Sequence, residues 1–398
     1  MGILTGLKVL DFSTLLPGPF ATMMLADMGA DVLKVESPYR VDLTKFMEPM
    51  DGEVSAAFGH LNRSKRSLAL DLKLEEAREV VYQLVRDYDI IVEQFRPGIM
   101  DKLGIGYEKL KQINPKVIYC SITGYGQTGP LRNKAGHDIN YLSLAGTASY
   151  SSRKNQAPIP TGIQVADLAG GSMPAVIGIL AAVYHRDQTG EGQYIDISIT
   201  DSAFALNALY GSGYLVGGVE PEAESLLLNG GSFYDYYETK DHRFFSVGSI
   251  EPQFQARLCE LIGDSNLQFL SGSQRKEDQH AFKKKLTDAF KQKTFEEWLT
   301  ILGDDFDGCV EPVLTFSESV RHPQIKARNL VVSVPKPEGG TQKQIAFPIK
   351  FSTQPAEYRF TGTQTGTHSE DILKEAGFDQ ETINALSNKG AFGKQVMN

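Results

Sequence analysis

The chain has 398 residues and a net charge of −9, which suits two or three domains and excludes a general nucleic-acid binder while leaving room for a local basic pocket. Hydrophobic residues make up 41% and charged residues 22%, an ordinary globular composition. Cys120, Cys259 and Cys309 have no pairable spacing, so the chain carries neither a disulfide framework nor a metal-ligand motif and suits a reducing compartment.

The first third alternates strand and helix patterns. LKVLDFS (7–13) reads as a buried strand, PFATMMLADMGA (19–30) as a helix closed by Gly29, and DVLKVES (31–37) as the next strand. SLALDL, LEEAREVVYQLVRDY, DIIVEQF, GYEKLKQIN and KVIYCSIT continue the alternation to Thr123. Short β-branched runs between amphipathic helices predict βαβ units and a parallel sheet, which binds ligands at the carboxyl ends of its strands. The loops after Ser13, Ser37, Phe95 and Thr123 are therefore the expected binding loops.

Downstream, residues 170–185 read as a buried helix, and its apolar run from Ser172 to His185 is too short for a bilayer. The strand YIDISIT follows, then a helix running into a Gly-rich connection. FYDYYETKDHRFFSVGS (233–249) predicts a hairpin, and three helical patterns come after it. Two strands (LVVSVP and KQIAFPIKF) and one terminal helix over 369–388 complete the chain. The expected division is a large Rossmann-like α/β domain over 1–200, a linker helix and Gly-rich connection over 201–228, a smaller α+β domain over 229–320, and a segment over 321–398 returning to complete the large domain. With no targeting segment in view, the expected location is the cytoplasm, with no membrane partner.

Several stretches carry chemistry. GYGQTG (124–129) matches G-x-G-x-x-G after a strand, but Pro130 follows at once and the motif is not the first βα turn. It reads as a tight loop that lets a ligand approach the backbone, and not as a dinucleotide fingerprint. Arg40, the LNRSKRS segment (61–67) and Arg96 put cations at strand boundaries, where they suit phosphate groups. Asp167 stands before a small-residue helix, as a helix cap or as a group beside a reacting carbon. Gly170 and Gly171 are expected to offer backbone N–H groups to an oxyanion. Glu251 marks another helix start, with Pro252 at its first turn. His137-Asp138, taken alone, reads equally as a helix start.

Together, GLKVLDFSTLLPGPFATMMLADMGADVLKVE, LNRSKRS, FRPG, LGIGYE, SITGYGQTGP and TGTHSEDILKEAGF resemble the class III CoA-transferase family (CaiB/BaiF-like) over nearly the whole chain. The GHDINY and SIEPQF stretches resemble its α-methylacyl-CoA racemase branch. That resemblance implies a CoA thioester as substrate, with no separate cofactor and no metal. It implies CoA contacts from Arg40, from Leu61, Asn62, Lys65 and Arg66, from Phe95 and Arg96, and from Gly124, Tyr125 and Gly126. It also implies an interlocked homodimer, with His137 paired to Glu251 and Asp138 paired to Asp167.

The chemistry agrees. Inverting a carbon next to a thioester needs two acid/base groups flanking it. Histidine titrates near working pH, and an aspartate can serve if burial or a second carboxylate raises its pKa. The expected reaction is racemisation of a 2-methylacyl-CoA through an enolate; the alternative is CoA transfer with Asp167 as nucleophile. The sequence departs from the racemase branch at ADLAGGSM, Asp241-His242 and GGSFY, which leaves the acyl group open.

Overall fold

A computed structural model describes residues 2–273 and 275–393. They form two compact units. The first comprises residues 2–145, 161–205 and 324–393, and the second comprises 146–160 and 206–323, leaving out position 274.

The first unit is built on a parallel sheet of six strands: β1 (Lys8–Asp11), β2 (Asp31–Glu36), β3 (Lys65–Ala69), β4 (Ile90–Glu93), β5 (Ile118–Thr123) and β6 (Tyr194–Ser198). The order across the sheet is β3-β2-β1-β4-β5-β6, the doubly wound arrangement in which strand order reverses between β1 and β4. The near-continuous apolar runs follow from burial on both faces. Val9, Val32, Ile90 and Ile118 feed one core, and their neighbours Leu10, Leu33, Ile91 and Tyr119 feed the other. Alternate side chains leave opposite faces of a strand, so one run serves two cores.

The helix α1 (Pro17–Asp27) joins β1 to β2, with prolines at its start where a missing N–H costs nothing. The helix α2 (Asp138–Leu144) follows the loop after β5. The predicted buried helix is longer than expected: α3 runs from Ala166 to Thr189, 24 residues that are long and apolar enough to cross a membrane by length and composition. Its face of Ala175, Val176, Ile179 and Ala182 is buried in the sheet's second core. Its first turns, Ala166–Ser172, are π-helical.

The predicted terminal helix is two, α4 (Ser369–Glu375) and α5 (Gln380–Asn388). Gly377 adopts a left-handed backbone between them, and the Asp379 side chain caps the second.

The second unit has an antiparallel sheet in which Phe244–Val247 lies between Asp235–Glu238 and Val310–Pro312. The predicted hairpin is its centre. Helices Pro252–Leu261, Lys276–Phe290 and Phe295–Leu302 pack on it. Phe282, Leu286 and Phe290 recur every fourth residue on the middle helix and enter the core. The unit boundaries differ from the sequence expectation over 146–160 and 206–228, and by a few residues at 201–205 and 321–323. Arg153 pairs with Asp235 and Glu224, and Asn229 donates to the Tyr150 carbonyl, so the two longer segments belong to the second unit.

Candidate active site

A cavity of about 340 Å³ opens at the carboxyl ends of β1, β4 and β5 in the first unit, where strand order reverses and a doubly wound sheet leaves a crevice. Its walls come from Leu15–Pro17 after β1, Gln94–Pro97 after β4, Ile122–Tyr125 at the end of β5, and the 132–137 loop, with Tyr141, Asp167 and Ile199 beneath.

The glycines of this site answer to specific contacts. A Cβ on Gly124 would lie 2.5 Å from the Tyr141 ring, and one on Gly136 would lie 2.7 Å from both Tyr125 and Tyr141. Those two rings meet edge to face at 5.3 Å, and the Tyr141 hydroxyl donates to the Gly136 carbonyl at 2.5 Å. The aromatic pair thus pins the loop after β5 against the turn that delivers His137.

His137 flanks the start of α2 in an extended conformation, and its N–H donates to Asn140 Oδ1 at 3.0 Å. Asp138 is the first helical residue, and its Oδ1 accepts the Asp167 backbone N–H at 3.0 Å. Asp167 is half-buried in the first turn of α3. Burial and the Asp138 carboxylate push its pKa up to about 6, against the opposing pull of His137. The structure therefore brings His137, Asp138 and Asp167 together. One expectation is corrected: Asp167 lies inside the helix and does not cap it, with Val165 as the flanking residue. Gly170 and Gly171 are buried in the same turns, where a Cβ would lie 3.0 Å from the Ile199 carbonyl and from Pro17 respectively.

Glu251 lies in the second unit, exposed, flanking the helix Pro252–Leu261.

The cations divide sharply. Lys65 is buried, with its ammonium on Asp11 at 3.1 Å, the Pro19 carbonyl and Asn62 Oδ1. Arg66 pairs with Asp31 and Glu375. Leu61 and Asn62 are buried beside them. None of these four reaches the cavity, because β3 begins beside β2 and its cations meet carboxylates already there. Arg40 is exposed beyond β2. Phe95, Arg96, Gly124 and Tyr125 line the cavity, whereas Gly126 faces Ser198 on β6 in a left-handed conformation.

Two cavity cations escaped the sequence reading: Arg132 and Lys134, both exposed. Their signal was available, since they sit in the loop between GYGQTG and His137. With Arg96 they give the cavity a basic rim suited to phosphates.

The fold and this acid/base cluster describe an α/β enzyme with its site at the reversal of strand order. The model of CoA-transferase family III matches residues 4–369. The chain is 36% identical over 386 residues to an alpha-methylacyl-CoA racemase of Homo sapiens, covering 96% of both chains. It is 34% identical over 385 residues to a succinate–glutarate CoA-transferase of Agrobacterium fabrum, covering 94% of this chain and 95% of the relative. A CAIB/BAIF family protein from Brucella suis superposes with a TM-score of 0.82 at 31% identity, over 94% of this chain and 100% of that one. The chain belongs to CoA-transferase family III and is an enzyme of that transferase and racemase family.

Proposed function

We propose that the enzyme racemises 2-methylacyl-CoA thioesters by exchanging the α-proton through an enolate. The observation that carries this reading is the half-buried Asp167 carboxyl, raised to about 6 beside His137 and Asp138. At neutral pH it is ionised enough to take a proton and basic enough to do so usefully. One of the pair, Asp167 or His137, removes the α-proton, and the electron pair moves into the thioester carbonyl as an enolate. The other returns a proton to the opposite face. Asp138 tunes Asp167, and Arg96, Arg132 and Lys134 take the CoA phosphates.

The protein acts as an interlocked homodimer in which Glu251 fixes the His137 tautomer, works in the cytoplasm, and binds neither membrane nor nucleic acid. The test is incubation of a single-epimer 2-methylacyl-CoA in heavy water. Epimerisation with α-deuterium uptake is expected, and the absence of both across several acyl chains rejects the reading.

A second reading is CoA transfer, supported by the transferase relative of comparable identity. Asp167 would attack the acyl carbonyl and expel CoA thiolate to give a mixed anhydride. The thiolate would then attack the anhydride at the Asp167 carbonyl, releasing the carboxylic acid and leaving an aspartyl thioester for the acceptor acid. Labelled carboxylic acid becoming CoA-bound at the expense of another acyl-CoA would establish it.

A further inference from the structure

Glu93 ends β4 and is 4% exposed. Its oxygens serve two different elements. Oε2 accepts the Phe95 backbone N–H at 2.7 Å, and Oε1 accepts the Ser121 hydroxyl of β5. The Ser121 oxygen in turn accepts the Tyr194 hydroxyl of β6 at 3.0 Å. One carboxyl therefore ties the turn after β4 to β5 and, through Ser121, to β6. That turn supplies Gln94, Phe95, Arg96 and Pro97 to the wall of the candidate active site. A second cavity of about 230 Å³ is lined by Glu93, Arg96, Ser121, Tyr119 and Tyr194, so Arg96 borders both cavities. A buried acid is costly where a neutral acceptor would satisfy one N–H, so a carboxyl at this joint calls for a use of the charge.

We infer that Glu93 is a positioning residue: through the Phe95 N–H and Ser121 it holds the Phe95–Pro97 wall in the form that receives CoA, and it does so best as a carboxylate. The inference rests on the reading that the cavity takes a CoA thioester. As a carboxylate, Glu93 accepts from both partners. A proton on Oε1 meets the Ser121 hydroxyl hydrogen head-on, and a proton on Oε2 displaces the Phe95 N–H. Either way one strut is broken or reversed.

The titratable groups around Glu93 are Tyr119 and, on the opposite face of β5, Cys120, with Tyr194 and Asp196 on β6 and Asp101 in the turn of helix Ile99–Lys102. Arg96, Tyr107 and Glu108 stand around the second cavity. Burial, with Asp101 and Asp196 behind it, pushes Glu93 up to about 7 against the pull of Ser121 and Phe95, so the switch falls in the working range.

The experiment is calorimetric binding of CoA between pH 6 and 8.5 to the wild-type enzyme, Glu93→Gln and Glu93→Ala. The wild type is expected to tighten severalfold as pH rises through about 7. Glu93→Gln, whose amide N–H₂ opposes the Ser121 hydroxyl as a protonated Glu93 does, should match the wild type at low pH and fall severalfold behind it as pH rises through about 7. Ionisation of the CoA phosphate moves both curves alike, so their ratio isolates Glu93. Glu93→Ala should bind about tenfold more weakly, the loss expected for hydrogen bonds to a charged group. Turnover of Glu93→Gln at saturating acyl-CoA should stay within about twofold of wild type, since the loss lies in binding. A wild-type to Glu93→Gln ratio that is flat with pH, or Glu93→Ala binding at wild-type affinity, overturns the assignment alone. A wild-type enzyme that binds no CoA overturns the underlying reading as well.

Discussion

At the carboxyl ends of β1 and β2, Asp11, Lys34, Asp42 and Lys65 neutralise one another inside the protein. Lys65 meets Asp11 at 3.1 Å and Lys34 meets Asp42 at 3.6 Å, all four buried. Across the reversal of strand order, Glu93 and Asp167 form no ion pair with lysine or arginine among the described residues. The same burial acts on both sides with opposite results. Burial pushes Asp11 up, but Lys65, Lys34 and the hydroxyls of Ser13 and Thr22 outweigh it and hold the carboxyl near 2. Burial pushes Glu93 to about 7 and, aided by Asp138, Asp167 to about 6. The first group fixes a loop: Lys34 holds the Ser13 carbonyl, and Asp42 holds the N–H of Leu15, a leucine in the left-handed region at the cavity wall. The second leaves carboxyls able to exchange protons near neutral pH. Charge is structural where it is paired and available for chemistry where it is not.

On the proposed racemase reading, the largest effect belongs to Asp167→Asn, which should lower α-proton exchange about 10³-fold, as loss of a general base does. Stability to urea at neutral pH should hold or rise in the same variant, because burial makes the ionised Asp167 costly to the fold, and a loss of stability alongside the loss of rate would erase the contrast between the two regions. Next comes Asp11→Asn, which strands Lys65 and Lys34 without a full counter-charge. It should cost about 3–5 kcal/mol in urea unfolding. A shift under about 1 kcal/mol would mean that the paired side is not structural.

A third measurement follows stability with pH. Glu93 titrates higher in the folded chain than the ordinary 4.5, so its protonated form stabilises the fold fully below pH 4.5, and that contribution is lost as pH rises through about 7. Glu93→Gln should remove this slope, gaining roughly 3 kcal/mol on wild type between pH 5 and 8. Asp11 has the reverse sign: its contribution is present above the ordinary 3.8 and fades as pH falls through about 2. The smallest effect is that of Asp138→Asn. Removing a negative neighbour lowers the Asp167 pKa, so the acid limb of the pH–rate profile should move to lower pH, with about a severalfold loss of rate at neutral pH. An acid limb that stays put would separate Asp138 from Asp167.

Much of this molecule was legible in its residues. Two-sided burial writes apolar runs such as VLD and IIVE, so β1 to β5 and the parallel sheet could be read directly. The hairpin over 233–249 and the three helical patterns after it were equally plain. His137, Asp138 and Asp167 could be grouped by chemistry and family resemblance before any coordinates. The sequence could not rank its cations. Lys65 and Lys134 are both lysines near glycine- or serine-bearing loops, yet one is locked on Asp11, 54 positions away, and the other lines the cavity. Whether a charge is spent or free depends on which strand lies beside which, and strand order is a long-range property that local pattern does not encode. For the same reason Asp138 could be proposed to tune Asp167 from residue type, but only the packing of α2 against the first turn of α3 decided that its carboxylate bonds the Asp167 backbone.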